Sequence, residues 1–223
     1  MAISKAAAHG QAALRSIEEY GLLLVSDSRT PSVAGIVTGE RVSGSWWGHP
    51  LSHEIFRVNQ LLASSPDITT AKLIYGKVTF IHRKLWEALV AVGTGRELWQ
   101  TNDLLPAALS LMNRVARRGE LRIDEVSAEM GLNHKALSGA SSDLEVRLLV
   151  HAEGVHTKTG AHSKQLESWE HWGSRVKALT GKSASEGKSD LQAAAARLCF
   201  ASEEQQGRGR RSRPSLLPWT DVD

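Results

Sequence analysis

Residues 117–150 read RRGELRIDEVSAEMGLNHKALSGASSDLEVRLLV, and the fold turns on how this stretch divides. Arg117, Arg118 and Gly119 close a helix, with cations in the last turn and glycine at the stop. Glu120–Ile123 alternates as a short strand. Asp124 can cap a second helix that runs to Met130, and Gly131 can take the left-handed stop. Asn133 caps a third helix, whose inward face is Leu137, Ala140 and Leu144. Ser127, small and four residues before Gly131, suits the close approach of two helices at a helix-turn-helix corner. Val146, Leu148 and Val150 then alternate as a strand, Thr157–Gly160 turns, and Ser163–Trp169 returns.

Upstream, Leu105, Ala108, Met112 and Val115 recur at helical spacing. Helix, strand, helix, turn, helix, hairpin is the order of a winged helix. The first hundred residues repeat it. A helix covers Ser4–Tyr20, with Ala7, Leu14 and Ile17 on one face, and Gly21–Val25 is an apolar strand. Thr30 and Pro31 open a helix that Gly39 closes, and Leu51, Ile55, Val58 and Leu62 line the next. Lys72–Ile81 is a hairpin turning at Gly76, followed by a helix from Arg83 to Val92 with Leu85, Leu89 and Val92 inward. Glu40–Pro50 is an insert in this first unit, and Gly93–Glu97 reads as a linker between units.

The expected class is therefore α+β and mostly helical: two tandem winged-helix-like units plus a disordered basic C-terminal tail. Residues 1–95 form the first unit with a Trp-rich insert, and 96–180 the second. Residues 181–223 hold a flexible linker, a short helix at Leu191–Ala201 and the basic tail, which ends Gln206-Gly-Arg-Gly-Arg-Arg-Ser-Arg-Pro214.

Composition bounds the chemistry. The 223 residues are 41% hydrophobic and 23% charged, which excludes wholesale disorder. The formal charge of +3 permits a nucleic-acid partner without announcing one. The single cysteine, Cys199, leaves no intramolecular disulfide or cysteine-based zinc site. No apolar run reaches the roughly 18 residues a membrane helix needs, and the alanine-rich start lacks the apolar core of a signal peptide. The expectation is a cytoplasmic protein without a membrane partner or a cofactor. Tryptophan is over-represented, with seven against two Tyr and three Phe.

The densest functional-looking patch is Val42-Ser-Gly-Ser-Trp46-Trp47-Gly-His49-Pro50, with His53 opening the next helix. The indoles offer stacking faces to bases, and His49 and His53, four apart, could act together on a phosphate or a water. The alternative is that both Trp plug a groove and His49 satisfies a turn. His151, His156 and His162 suggest zinc. Pairing Val155 with His162 across a four-residue loop puts His151 and His162 on one face about 13 Å apart and turns His156 away, so solvated histidines and no metal are expected. For DNA, the third helix of the second unit should enter the major groove. It offers His134, Lys135, Ser138, Ser141 and Ser142, set against Asp143 and Glu145. Lys158 and Lys164 on its wing and Lys72, Lys77, Arg83 and Lys84 around the first hairpin would contact phosphate. Arg208, Arg210, Arg211 and Arg213 form a non-specific tether.

Over residues 4–179 this architecture, with its aromatic-rich loops, resembles the winged-helix DNA glycosylases of the AlkZ family. That resemblance implies excision of alkylated bases without a metal. The family's catalytic signature, Gln, an apolar residue, then Gln or Asp, has its nearest counterpart at Gln165-Leu-Glu167, where Glu stands at the last place. The resemblance thus implies Glu167 as a catalytic group beside His49 and His53. The leading expectation is a DNA-binding tandem winged-helix protein in DNA repair or transcription. The alternatives are a metal-independent glycosylase and a winged-helix module that binds a protein partner.

Overall fold

The computed structural model describes residues 5–42, 44–156, 160, 162–179, 181–204 and 216–220. The chain is α+β and mostly helical, with two three-stranded sheets. It divides into two compact units, Met1–Leu85 with Ser189–Leu217, and Trp86–Lys188 with Pro218–Asp223. Among the described residues no helix is long and apolar enough to cross a membrane.

The first unit has the expected winged-helix-like order: α1 (Lys5–Tyr20), β1 (Leu22–Leu24), α2 (Val33–Thr38), α3 (Ser52–Ala63), β2 (Ile68–Ile74) and β3 (Lys77–His82). α1 buries Ala13 and Ile17 and leaves Ala7 exposed, so its inward stripe starts one turn later than the periodicity suggests. These residues pack with Leu23, Val33, Val37, Ile55, Val58, Leu62 and Phe80. The hairpin turns at Tyr75 and Gly76, both at positive φ (53° and 63°), the arrangement whose twist matches that of the strands. α2 starts later than Thr30 would place it. Asp27 Oδ1 accepts from the Arg29 and Thr30 amides at 2.7 and 2.9 Å, which holds that segment in a turn. Ser32 is the cap, accepting from Gly35 N.

The second unit opens on α4 (Trp86–Gly95) and α5 (Leu98–Thr101). It continues with α6 (Pro106–Arg118), β4 (Glu120–Arg122), α7 (Ile123–Met130), α8 (His134–Val146), β5 (His151–His156), β6 (His162–Glu167) and α9 (Trp169–Arg175). Its core joins Ala108, Leu111, Val115, Val126, Leu137, Leu144, Val150 and Leu166. Leu105, expected inward, is 69% exposed at the cap of α6.

Four expectations give way here. The segment 146–150 is not a strand: α8 continues to Val146, and Leu148 turns left-handed at φ 52°. The Leu148 carbonyl accepts from the Trp169 indole at 2.8 Å and the Gln100 amide at 3.3 Å, so side chains occupy a group that a sheet ladder would use. Likewise, β6 ends at Glu167 because Ser168 caps α9 through His171 N. The supposed linker at 93–97 begins as helix, since α4 runs to Gly95. Finally, α10 (Ala184–Glu204) starts within the stretch expected to be flexible. A reciprocal box nucleates it, with Ser183 N donating to Glu186 and Glu186 N donating to Ser183 Oγ. The Arg208–Arg213 run lies outside the described residues.

Gly93 is the tightest point of the second unit. A Cβ there would lie 2.3 Å from Cδ1 of Trp169, a ring that is 1% exposed and hydrogen-bonded. Gly93→Ala is expected to lower the unfolding free energy by about 3 kcal/mol, measured by urea denaturation. A loss under about 0.5 kcal/mol would mean that Trp169 is free to move.

Candidate nucleic-acid interface

α8 is set up by local chemistry. Gly131 stops α7 at φ 61°, Ser127 Oγ donates to the Leu132 carbonyl across the corner, and Asn133 Oδ1 accepts from Ala136 N at 2.9 Å. Leu137, Ala140 and Leu144 are buried, which turns His134, Lys135, Ala136, Ser138 and Gly139 to solvent. A Cβ on Gly139 would meet nothing within 4 Å. The acidic pair of this helix does not face solvent freely. Asp143 is held by Arg147 Nε at 2.8 Å, and Glu145, 8% exposed, accepts from Ser141 at 2.8 Å and Lys164 Nζ at 2.5 Å.

The other expected phosphate contacts divide. Lys164 is taken up by Glu145. Lys77 donates to Asp27 at 2.6 Å, a carboxylate that is 4% exposed. Burial pushes Asp27 up, but the hydrogen bonds from Lys77 and from two backbone amides outweigh it and hold its pKa below the usual value. Arg83 pairs with Asp67 at 2.9 Å between exposed groups. Lys72 lies half-buried on β2, and Lys135 is exposed on α8. Lys158 lies outside the described residues.

The tryptophan loop of the first unit is a short 3-10 turn, Trp46–Gly48, capped by Ser45. Trp46 packs on the core, and Trp47 is 64% exposed. Their rings stack at 4.1 Å, and Trp47 also sits 6.0 Å from Phe56. Of the two indoles expected to plug a groove, Trp46 does so and Trp47 does not. His49 braces the loop. Its Nδ1 accepts from Leu51 N at 3.0 Å, so its Nε2 carries the proton and donates to Glu40 at 3.0 Å. His53 is exposed on α3.

Glu167 ends β6 in the second unit and its side chain is 3% exposed. Arg175 grips it with two bonds, Nε at 3.0 Å and Nη2 at 2.6 Å, and His171 Nδ1 lies 2.8 Å from Oε1. Burial raises its pKa, but these bonds outweigh that and keep the carboxylate ionised. Gln165 is likewise engaged, donating to Glu120 at 2.7 Å. The spacing Glu167, His171, Arg175 is one turn and two turns of helix, a sequence signal that points to this cluster. Glu120, Glu167 and His171 each bring a ligand atom within 4.8 Å of the others. The Arg175 guanidinium already on Glu167 is the wrong neighbour for a metal ion, so the donor set does not fit one.

The wing register is one residue removed from expectation. His156 pairs with His162, Val155 with Ser163, and His151 with Glu167, across a five-residue loop. His151 and His162 therefore lie on opposite faces. His151 is not solvated: it is 4% exposed, stacked on Trp172 at 4.8 Å and edge-on to Trp169. No protein-family model matches this chain, and no curated protein or solved structure is significantly similar to it.

Burial lowers the His151 pKa to about 4; Glu167 opposes that shift and Arg175 adds to it. The unfolded chain then binds a proton below pH 6.5 that the folded one refuses until about pH 4. Stability from this group is full above pH 6.5 and is lost as pH falls toward 4, by about 3 kcal/mol. Denaturant titrations across that window should show the loss relative to His151→Phe; parallel curves would show that the ring protonates in the fold.

Proposed function

We propose that the protein binds DNA, with α8 of the second unit lying in the major groove and the hairpin β5–β6 as its wing. One observation supports this most. The outward N-terminal half of α8 is small and carries Lys135, and the acidic pair of its C-terminal half, which would repel phosphate, is drawn into bonds with Arg147, Ser141 and Lys164. Ala136, Ser138 and Gly139 would let the backbone approach base edges, and Lys135 would meet phosphate. Duplex binding measured by fluorescence anisotropy should fall steeply with salt. Lys135→Ala should weaken it across all sequences and reduce the slope of log affinity on log salt by about one. Salt-independent binding, or no binding to any duplex or single strand, refutes the reading.

A second reading rests on a different feature of the same surface. α6 and α8 bound a groove of ≈ 650 Å³ whose surface is largely apolar, from Leu105, Ala107, Ala136, Gly139 and Ala140, with Asp103, Lys135, Asp143 and Arg147 also on its lining. Such a surface suits an apolar side chain of a protein partner. If this reading holds, Leu105→Asp abolishes capture of a partner that survives nuclease treatment; loss of the partner on nuclease treatment refutes it.

A further inference from the structure

A cleft of ≈ 590 Å³ opens in the first unit, within the size range of small-ligand sites. One wall is the face of α1 carrying Arg15, Ser16 and Glu19, and another is the segment between β1 and α2. Gly35 of α2 and Gly39, which caps that helix, bring backbone rather than side chains to it, which leaves the cleft open. Three arginines from three separate segments line it: Arg15 from α1, Arg29 before α2 and Arg41 after it. All three are exposed.

The acidic groups of the cleft are unequal. Asp27 is cancelled by Lys77 and saturated by two backbone amides. Glu40 accepts from His49, and Glu19 remains on the α1 wall. By charge, Arg15, Arg29 and Arg41 outnumber Glu19 and Glu40, since Asp27 is offset by Lys77. Thr30, which lines the same cleft, is 7% exposed, and its Oγ1 has no hydrogen-bond partner among the described residues. A buried hydroxyl is normally satisfied.

We propose that this cleft binds a phosphate monoester of a hydroxyl-bearing molecule, such as a sugar phosphate or a mononucleotide. Arginine forks match phosphate oxygens with paired, charge-assisted bonds, and three lining one opening supply the counter-charge. Glu19 and the serine hydroxyls provide acceptors for the ligand's own hydroxyl groups. The site is separate from α8 and does not depend on the DNA-binding reading. Its far edge reaches the tryptophan loop, because Glu40, next to Arg41, holds His49. Occupancy should therefore also change the emission of the exposed Trp47.

The test is isothermal titration of the full chain, in phosphate-free buffer, with ribose 5-phosphate, adenosine 5′-monophosphate and their unphosphorylated counterparts. A short oligonucleotide with and without a 5′-phosphate forms a parallel arm. At least one phosphorylated probe should bind with Kd below about 1 mM, and its unphosphorylated form at least about tenfold more weakly. Arg15→Ala and Arg41→Ala should each cost about tenfold in affinity without moving the thermal midpoint, since both side chains are exposed, while Lys135→Ala leaves the affinity unchanged. A preference for the small esters identifies a free ligand. A preference for the 5′-phosphorylated strand, lost in the same two variants, makes a nucleic-acid end the source of the phosphate. No binding by any phosphorylated probe, equal binding without the phosphate, or affinities untouched by both arginine variants overturns the proposal.

Discussion

In each unit the returning strand of the hairpin lies in the middle of its sheet, and the rest of the unit depends on that pairing. β3 takes β2 on one side and β1 on the other, and β6 takes β5 and β4. β1 and β4 have three residues each, too few to be stable alone. They exist as strands because Leu23 meets Phe80 and Leu121 meets Leu166, all four buried in their unit's core. The same contacts tie the end of the first helix to a hairpin some forty to sixty residues later. Closing that distance is what folds the helices over the sheet, and it explains why the third strand is short: it only has to reach the partner.

The polar interior of the second unit follows from where its central strand ends. Glu167 is opposite both Glu120 and His151 in register, in a place where a carboxylate would be unstable without compensation. Arg175 and His171, presented by the helix that starts two residues later, supply it. That arrangement engages both oxygens, so Glu167 pins α9 to the sheet. A reaction at Glu167 would have to break this network first.

The cations of the surface are not equivalent either. Lys77 and Lys164 pair with Asp27 and Glu145, whose side chains are 4% and 9% exposed, and withdrawing either lysine would leave a buried charge uncompensated. Arg83 and Asp67 are both exposed, and a phosphate could exchange into such a pair at little cost. A count of lysines and arginines in the sequence cannot separate these cases, because the difference lies in the burial of the partner.

What the sequence determined by itself was local: the helices lined by Ile55, Val58 and Leu62 or Leu137, Ala140 and Leu144, the stops at Gly39, Gly119 and Gly131, the cap at Asn133 and the turn at Gly76. Each follows from side-chain periodicity or from the dihedral angles a residue can adopt, and neighbours in the chain suffice to specify it. Helix–strand order followed from these, and with it the winged-helix-like outline. The capping pair Ser183 and Glu186 and the spacing of Glu167, His171 and Arg175 were also written there, though a polar stretch and an alternating one obscured them. Tertiary structure alone decided the rest. The end of α8 and the turn at Leu148 depend on Gln100 and Trp169, far away in the chain. The one-residue register of β5 on β6 decides which histidine is buried, and short-range pattern is blind to a slip that exchanges the two faces. Charge on α8 is likewise a matter of which partner arrives from another element. These features are set by side chains that meet only after the chain has closed on itself, and that is why they could not be read along it.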